Sequence, residues 1–381
     1  MSERFDAVVV YYAEPKLELL RDVLLPEILD WARDDAVEAA YLQRHWRRGP
    51  HVRLCVRAAD AQAARLRARD GLAVVAAHLA ARPSGAPLDP VAYLERSRDL
   101  AELELRPDPL EPLWPDNRVF LEPAEDDTAR FGGDEAFAFR EDFLARAMAP
   151  VRQLLDAARE RPALVPTYVL HIFVVLAASY PSGIGYGYLS FRSHLEDFLD
   201  DRDGEGAMRA AFAQRFEPAR DAVRRQVEAL LDELGDDGRG PLADPVLATW
   251  QELFGWAWER ARELAGRGVL TEDPAPLLSP IAHVLGGRAA RRWTFDDARG
   301  KSDFHERLGD LDFLPERVNV QRFAAYRWLV NLTYALLPLL GMSPAERYYL
   351  SHVLSETVEE MTGRGWQERI GEIVDQWGGK A

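Results

Sequence analysis

The sequence predicts an α+β fold, in which a mixed or antiparallel sheet packs with helices and the C-terminal half is largely helical. Two observations predict it. Roughly the first eighty residues read strand, helix, strand, strand, helix, and most later segments have helical length and composition. The chain has 381 residues, 48% of them hydrophobic, so it can bury one large core or two ordinary ones. We expect a single domain over residues 1–381, with a charged helical insertion at about 200–268.

Each N-terminal element has a local signal. Residues 5–13, FDAVVVYYA, favour a strand because they are rich in Val and Tyr. Pro15 favours the start of a helix, and Pro26 predicts a kink in it. Residues 40–60 are predicted to form a hairpin, and residues 61–81 an Ala-rich helix.

The second strand of the hairpin alternates basic with apolar side chains. His51, Arg53 and Arg57 fall on one face, because side chains of a strand alternate with a period of two. This face is either a solvated sheet surface or a site for an anion or substrate. Cys55 is the only cysteine, so it excludes an intrachain disulfide and a zinc site built from several thiolates. We expect it to be a core thiol.

The rest of the chain is predicted to be mostly helical. Ser343, Pro344 and Glu346 form a capping-box pattern, which predicts a helix start. The predicted elements are an extended Pro-rich connection over 83–115, a strand at 118–124, a helix over 132–161 with a kink at Pro150, a buried helix over 168–180, and helices over 320–340 and 343–362.

The charge balance limits the partners. Lys and Arg number 47 against 63 Asp and Glu, and the formal charge of -16 argues against a nucleic-acid partner. No basic and apolar signal segment begins the chain, and the longest apolar run, residues 168–180, is too short to span a membrane. We therefore expect a cytoplasmic protein that binds neither nucleic acid nor membrane.

Several standard motifs are incomplete. Gly183, Gly185 and Gly187 lack the spacing and the preceding strand of a dinucleotide-binding loop. His194 and Glu196 match the start of a zinc deaminase signature, but its paired cysteines are absent. No two histidines share a helix at ligand spacing, so we expect no metal.

Polar side chains in the segment YGYLSFRSHLEDFL form a first candidate site. Ser193 and Glu196 predict a helix start, which would place Ser190, Arg192 and His194 at a strand-to-helix junction beside a pocket. The alternative is that Arg192 only pairs with Glu196 and His194 only caps the helix.

Three further features are candidates. Arg130 precedes Gly132 and Gly133, which would permit close approach of a peptide backbone; the alternative is a surface arginine at a helix start. Asn331 and Tyr334 are three residues apart on one helix face. Tyr348, His352 and Glu356 recur at intervals of four on another helix; the alternative for both helices is a set of satisfied polar groups in the core.

Three segments in this order carry a resemblance to a known family: LQRHWRRGPHVRLCVRA, ARFGG and ERYYLSHVLSETVEE. They resemble the C-terminal, glutamate-eliminating domain of class I lanthipeptide dehydratases, and more closely the stand-alone members found in thiopeptide biosynthesis. The eliminating enzymes carry Asn-Arg after a histidine in the C-terminal helix. Here His352 is matched but the Asn-Arg is not. With FRSHLEDFL and LLPLLGMSPAERYYL, this departure is similar to the pyridine synthases of thiopeptide pathways.

The resemblance implies a cofactor-independent cyclase. Such enzymes join two dehydroalanines of a modified peptide in a formal [4+2] aza-cycloaddition, form a six-membered nitrogen heterocycle, close the macrocycle and release the leader peptide. The implied partner is a modified precursor peptide with its leader; a pathway dehydratase and a second copy of this chain are further candidates. The alternatives are a stand-alone glutamate-elimination subunit and a non-catalytic scaffold that binds the leader peptide.

The candidate site residues follow from these segments. Arg53 and Arg130 are expected in one cleft, which at least one of Tyr334, Tyr348 and His352 would share with Ser190. The expected catalytic residues are Tyr334, Tyr348, His352, Ser190 and His194, and the expected substrate-binding residues are Arg53, His51, Trp46, Arg130, Arg192 and Asn331.

Overall fold

A computed structural model describes residues 4–123, 127–204, 206–271, 275–287, 290, 302–309 and 317–378. The chain divides into two compact units, each described here by itself. The first comprises Met1–Asp156, Glu263–Arg299 and Ala335–Gly341, and the second Ala157–Arg262, Gly300–Tyr334 and Met342–Ala381. A single domain with an insertion at about 200–268 stays a prediction.

The first unit contains the sheet and the helices that pack on it. Five short 3₁₀ or π turns accompany the regular helices of the described residues, one of them between the first two helices. The elements of this unit are β1 (Arg4–Tyr11), α1 (Leu17–Leu19), a π-helical turn (Leu20–Leu24), α2 (Leu25–Trp31), β2 (Val37–His45), β3 (His51–Ala58), α3 (Ala61–Ala81), α4 (Pro90–Leu103), β4 (Arg118–Glu122), a 3₁₀ turn (Thr128–Phe131), α5 (Asp134–Ala157), α11 (Ala275–Leu285) and a 3₁₀ turn (Leu337–Leu340).

The four strands form one antiparallel sheet in the order β2-β3-β1-β4. The predicted hairpin is β2 and β3, in which His45 pairs with His51 beside the turn. Helix α3 packs on β1, β3 and β4. The α+β prediction is therefore confirmed, and the sheet is antiparallel throughout its described strands.

The kink predicted near Pro26 takes the form of a π-helical turn. This turn spans Leu20–Leu24 and ends two residues before the proline, which lies in the first turn of α2. Proline has no backbone N–H to donate, so the helix restarts there with proline in a tolerated position.

The connection over residues 83–115 is not extended throughout, contrary to the sequence prediction. It contains α4, whose start is capped by Asp89: its carboxylate accepts from the N–H groups of Val91 and Ala92 at 3.0 and 3.3 Å. Pro90 occupies the first helical position. An Asp-Pro pair is a helix-start signal in its own right, and the prolines around it concealed that signal.

The second unit is helical in its described part. It contains a 3₁₀ turn (Pro162–Leu164), α6 (Val165–Ala178), α7 (Ile184–Arg202), α8 (Ala207–Phe216), a 3₁₀ turn (Glu217–Ala219), α9 (Arg220–Leu234), α10 (Pro245–Gly266), α12 (Asp303–Gly309), α13 (Arg317–Leu336), α14 (Pro344–Thr362) and α15 (Trp366–Gly378), with α10 and α13 crossing the boundary between the units.

Helix α7 begins ten residues earlier than the sequence predicted, since its N-cap is Gly183 and not Ser193. It starts after Gly183, whose φ of +75° suits glycine, so Ser193 lies in mid-helix and caps nothing. The predicted strand-to-helix junction at Ser190, Arg192 and His194 is therefore wrong. A Cβ on Gly187 would lie 2.0 Å from the carbonyl oxygen of Ala177, so this glycine permits α6 and α7 to pack closely.

Two other predictions for this unit are confirmed. The segment over about 200–268 is mainly helical, in α8, α9 and α10, with a non-helical break over 235–244. Ser343 caps α14: its hydroxyl accepts from the N–H of Glu346 at 3.3 Å, and the Glu346 carboxylate accepts from the N–H of Ser343 at 2.7 Å. Within the described ranges, no helix combines the length and apolar character needed to cross a membrane.

Candidate functional site

The basic face of β3 is buried, so the solvated-face interpretation is wrong. Arg57 is 7% exposed and pairs with Glu141 at 2.8 Å, with Asp142 at 2.5 Å and with Glu38 at 3.1 Å. Arg53 is 3% exposed, donates to the Pro123 carbonyl at 3.3 Å and lies 3.8 Å from the Glu122 carboxylate. The charge of Arg57 is thus matched within the fold.

Two buried histidines lie at the closed end of the hairpin. The His51 ring lies 4.7 Å from that of Tyr11 and 5.3 Å from that of His45. Its Nδ1 lies 2.9 Å from the Gly49 carbonyl, which can only accept, so Nδ1 carries the proton. Burial lowers the pKa of His51 to about 3, and the ring is neutral.

His45 presents a polar atom with no partner. Its Nδ1 accepts from the N–H of Arg47 at 3.0 Å, so Nε2 carries the proton in the neutral ring. Burial lowers the pKa of His45 well below its ordinary value. Nε2 is buried and has no hydrogen bond within the described part of the chain.

Trp46 and Arg130, far apart in sequence, both contact Glu104. The Trp46 indole N–H donates to its carboxylate at 2.9 Å, and Arg130 Nη2 donates to its carbonyl at 2.6 Å. Asp127 lies 4.0 Å from Arg130 and accepts two hydrogen bonds from Arg106, at 2.7 and 2.6 Å. Sequence reasoning missed Glu104, because it lies in the connection that was predicted to be extended, where a single acidic residue gave no signal.

Arg130 retains unused donors. Its Nε and Nη1 are buried and form no hydrogen bond with any described residue. Burial and the charge of Arg106 lower its pKa. Gly132 and Gly133 have φ of +85° and +129°, and a Cβ on Gly133 would meet no atom within 4 Å. They therefore supply a left-handed turn, and close approach of a peptide backbone at these glycines stays a prediction.

Arg53 and Arg130 lie in the same unit but use different partners. Arg53 contacts Glu122 and Pro123, whereas Arg130 contacts Glu104 and Asp127. A common cleft for the two arginines stays a prediction. So does its sharing with the C-terminal helices, whose candidate residues belong to the second unit.

In the second unit, Tyr334 is buried among aromatic rings. Its ring meets those of Phe191 and Phe173 edge-on, with centroids 6.0 and 5.8 Å apart. The Ser351 hydroxyl donates to the Arg347 carbonyl at 3.1 Å, so at 3.5 Å it can only accept from the Tyr334 hydroxyl. This hydrogen bond is long and weak.

The neighbours of Tyr334 keep it protonated. Burial raises its pKa, although the Arg347 guanidinium, 4.7 Å from the ring centroid, opposes the shift. His194 packs edge-on against Tyr334, and burial together with Arg347 and Arg327 lowers the pKa of His194 to about 3. At neutral pH the pair is a phenol and an uncharged imidazole.

Arg347 also joins Tyr334 to Tyr348. Its guanidinium lies 4.3 Å from the Tyr348 ring centroid, and its Nη2 donates to the Tyr348 hydroxyl. Tyr348 also has an apolar neighbour: its ring stacks on that of Phe198, with ring centroids 3.9 Å apart. Sequence reasoning missed Arg347, although its position four residues before Ser351 places both on one face of α14.

His352 is another buried polar group that has no hydrogen-bond partner among the described residues. It is 3% exposed, and neither ring nitrogen has a hydrogen bond with a described residue. Burial lowers its pKa, the nearby Glu356 raises it, and Arg192 and Arg209 lower it further. A buried polar group left unpaired costs about 1–3 kcal/mol, so this ring is a candidate for ligand contact.

A network of ion pairs lies beside His352. Arg192 is 2.7 Å from Glu196, 3.3 Å from Glu356 and 3.5 Å from Glu359. Burial alone would raise the pKa of Glu196, but hydrogen bonds from Arg209 and the charge of Arg192 lower it. Arg192 therefore pairs with Glu196, as the structural alternative held, and with two further carboxylates.

Two candidate residues have less support. Ser190 is 9% exposed within α7. Asn331 is exposed, whereas Tyr334 is buried, so the two do not share their surroundings. Positions three apart on a helix differ by about 60° around the axis, which is enough to separate them at the edge of a face.

The described residues contain no group of three His, Cys, Asp or Glu side chains arranged to hold a metal ion. Hydroxyl, imidazole, guanidinium and carboxylate groups all occur in the two candidate regions. Their chemistry is hydrogen bonding and proton transfer.

Comparisons with known proteins agree with the sequence resemblance. A family model described as the C-terminal part of lantibiotic biosynthesis dehydratase matches residues 7–358. A solved structure of the pyridine synthase TbtD from thiomuracin biosynthesis is similar, with a TM-score of 0.70, 26% identity, and coverage of 95% of this chain and 99% of that one. The structure of TsrL, at 19% identity, has a TM-score of 0.64 with 97% and 98% coverage and shows the shared fold. A search of curated proteins gave no match.

Proposed function

Since the chain belongs to the lantibiotic dehydratase C-terminal family, we propose that it is a thiopeptide pyridine synthase. The proposed reaction joins two dehydroalanines of a modified ribosomal peptide in a formal [4+2] cycloaddition, and loss of water and of the leader peptide then completes the ring. The observation that carries the proposal is the 26% identity to a pyridine synthase over 95% of the chain.

The proposed chemistry makes two demands. Two distant residues of a flexible peptide must meet, which is largely a matter of positioning and entropy. One dehydroalanine amide must also react as its iminol, which moves a proton from nitrogen to oxygen. No metal or redox change is required by either step.

Tyr334 suits the second demand. Its raised pKa keeps the phenol protonated, and its hydroxyl has only a weak partner in Ser351. Such a group can donate a hydrogen bond to an amide oxygen and favour the iminol. Uncharged His194 packs against the same ring, and Tyr348 is linked to it through Arg347.

The peptide itself needs polar partners. Arg130 has buried N–H groups that form no hydrogen bond with the described residues, and His45 has one as well. Both fit peptide carbonyl or carboxylate groups. We propose that Trp46, His51, Arg53 and Arg130 contact the modified precursor peptide in the first unit, and that Arg192 and His352 contribute in the second.

Mass spectrometry of a dehydrated, azole-bearing precursor peptide incubated with the protein alone tests the proposal. We expect release of the leader peptide and a core peptide with the mass of the cyclised product. The matched control is a precursor in which one of the two reacting dehydroalanines is alanine; it should not cyclise. An intact precursor after prolonged incubation would contradict the proposal.

The second candidate is elimination of glutamate from glutamylated Ser or Thr. The family description and the matched His352 favour it. In the same mass-spectrometric assay, a glutamylated precursor would lose glutamate stepwise without release of the leader. Binding without any change in mass would instead favour a leader-binding scaffold.

A further inference from the structure

Three side chains of the second unit form a hydrogen-bonded chain outside the site described above. Ser193 Oγ lies 3.1 Å from Nε2 of His305, and Nδ1 of the same ring lies 2.8 Å from Ser302 Oγ. The imidazole is thus held between two hydroxyl groups. All three residues are partly exposed, so the chain reaches from α7 toward solvent.

The Ser193 hydroxyl is used differently from other hydroxyls in the helices of this unit. Ser355, Thr357 and Thr362 donate to the carbonyl four residues earlier, as hydroxyls in helices commonly do. Ser193 instead bonds to a ring 112 residues further along the chain. Since its own helix could have satisfied it, the contact with His305 is not needed merely to pair the hydroxyl.

Ser302 fixes the ring from the other side. It immediately precedes α12, and its oxygen accepts from the backbone N–H of His305 at 3.4 Å. The same oxygen contacts Nδ1 of that residue. Backbone and ring of His305 are therefore both held by one hydroxyl, which positions Nε2 toward Ser193.

Through Ser193, this hydrogen-bonded triad of Ser302, His305 and Ser193 is adjacent in sequence to the candidate catalytic pair, His194 and Tyr334. Ser193 directly precedes His194, whose ring packs against Tyr334 at 5.1 Å between centroids. His305 is among the charges that lower the pKa of His194. A proton carried along these three side chains would arrive at Ser193, one residue before His194 in α7.

We propose that Ser302, His305 and Ser193 form a proton relay for the cyclisation and elimination steps of the proposed function, on which this inference rests. To transfer one proton, Ser302 gives its proton to Nδ1 of His305 while it takes another from water. Nε2–H of His305 gives its proton to Ser193, and the Ser193 proton moves to the leaving group. The imidazole changes tautomer without a change in charge.

The eliminations balance with this relay. When water or the leader amide departs, its C–O or C–N bond breaks with the electron pair on the leaving atom, which takes the delivered proton. The six-membered ring of the substrate loses one proton to solvent, and the electron pair that this proton leaves behind forms the new double bond. Ser193 is the group that meets the substrate, while His305 and Ser302 position and recharge it.

Single-turnover kinetics with the precursor peptide test the relay. His305→Ala should lower the rate by roughly 10²-fold or more, and added imidazole should restore part of it. Ser193→Ala should lower the rate similarly, whereas Ser193→Thr, which keeps a hydroxyl, should retain most of it. Ser179→Ala removes a hydroxyl that bonds within its own turn and is the matched control, with an unchanged rate.

The outcomes separate the relay from the function on which it rests. If the wild-type protein forms no ring, the proposed function and the relay both fail. If the wild type cyclises the peptide and His305→Ala keeps its rate, the relay alone fails. A lower rate in His305→Ala that imidazole does not restore, together with a lower melting temperature, assigns the triad a structural role and overturns the relay.

Discussion

The ring of Tyr334 packs edge-on against the imidazole of His194, with centroids 5.1 Å apart and planes at 78°. The two residues come from α13 and α7, and both were candidate catalytic residues on separate sequence grounds. Burial raises the pKa of the phenol and lowers that of the imidazole. Around neutral pH, Tyr334 is therefore a donor of hydrogen bonds and His194 carries no charge.

Replacing Tyr334 by Phe should impair turnover more than folding. The hydroxyl has only a weak hydrogen bond, at 3.5 Å, so its removal costs little stability. If the phenol assists proton transfer, the single-turnover rate should fall by roughly 10²–10⁴ while the melting temperature stays nearly constant. Stopped reactions analysed by mass spectrometry and a thermal melt measure the two quantities.

Tyr326→Phe is the matched control for that variant. Tyr326 is 1% exposed, and its hydroxyl donates to the Gly187 carbonyl at 2.8 Å, where α6 and α7 approach closely. Loss of this hydrogen bond should lower stability by about 1 kcal/mol and leave the rate of the folded protein intact. A slower rate in Tyr326→Phe together with an unchanged rate in Tyr334→Phe would contradict the role of Tyr334 in proton transfer.

The buried His51 should make stability sensitive to acid. Burial lowers its folded pKa to about 3, against 6.5 for an ordinary histidine. Between these values the unfolded chain binds more protons, so stability is complete above 6.5 and is lost as the pH falls below it. One such residue costs about 2 kcal/mol near pH 5.

His51→Asn should flatten this dependence. Asparagine retains an N–H donor for the Gly49 carbonyl but does not titrate. Urea unfolding at about pH 8 and about pH 5 gives the free energy of unfolding of each protein at both values. The loss of stability is the difference between the two values for the same protein. The variant should lose about 2 kcal/mol less than the wild type. An equal loss in both proteins would mean that His51 is not the residue responsible.

Arg57 should be essential for stability although it resembled a ligand-binding residue. Arg57→Met removes the guanidinium that pairs with the buried Glu141 at 2.8 Å, which should cost about 3–5 kcal/mol. Adding Glu141→Gln removes the buried negative charge that Arg57 neutralised and should recover part of the loss. Urea unfolding of the two variants measures this coupling, and it is absent if the double variant is no more stable than Arg57→Met.

Arg130 should contribute to peptide binding and little to folding. Its buried Nε and Nη1 form no hydrogen bond within the described part of the chain, so Arg130→Ala should raise the Kd of the leader-bearing precursor by roughly tenfold. Arg267→Ala is the control, since Arg267 is half-exposed and pairs with Glu135 on the surface at 2.7 Å. Fluorescence anisotropy with a labelled precursor should distinguish them, and equal Kd values for the two variants would argue against a binding role.

Local patterns in the sequence determined most of the elements. Alternation in β3, the turn Arg-Arg-Gly-Pro and the capping box at Ser343 each depend on residues close in sequence, and all were found in the structure. Helix α7 and helix α4 were misjudged for the same reason. Ser193 and Glu196 imitate a cap, and prolines around Asp89 concealed one, because local signals for starting and breaking a helix can compete.

The partners of the polar side chains were decided only by the tertiary structure. Sequence alone placed Arg53 and Arg57 on one strand face, and their different roles follow from the carboxylates that other elements bring to them: Glu141 and Asp142 from α5 match the charge of Arg57. Likewise, Ser193 could be read as a cap until α12 placed His305 against it. Periodicity specifies the direction of a side chain, but its charge, protonation and reactivity depend on groups distant in sequence, which only packing brings into contact.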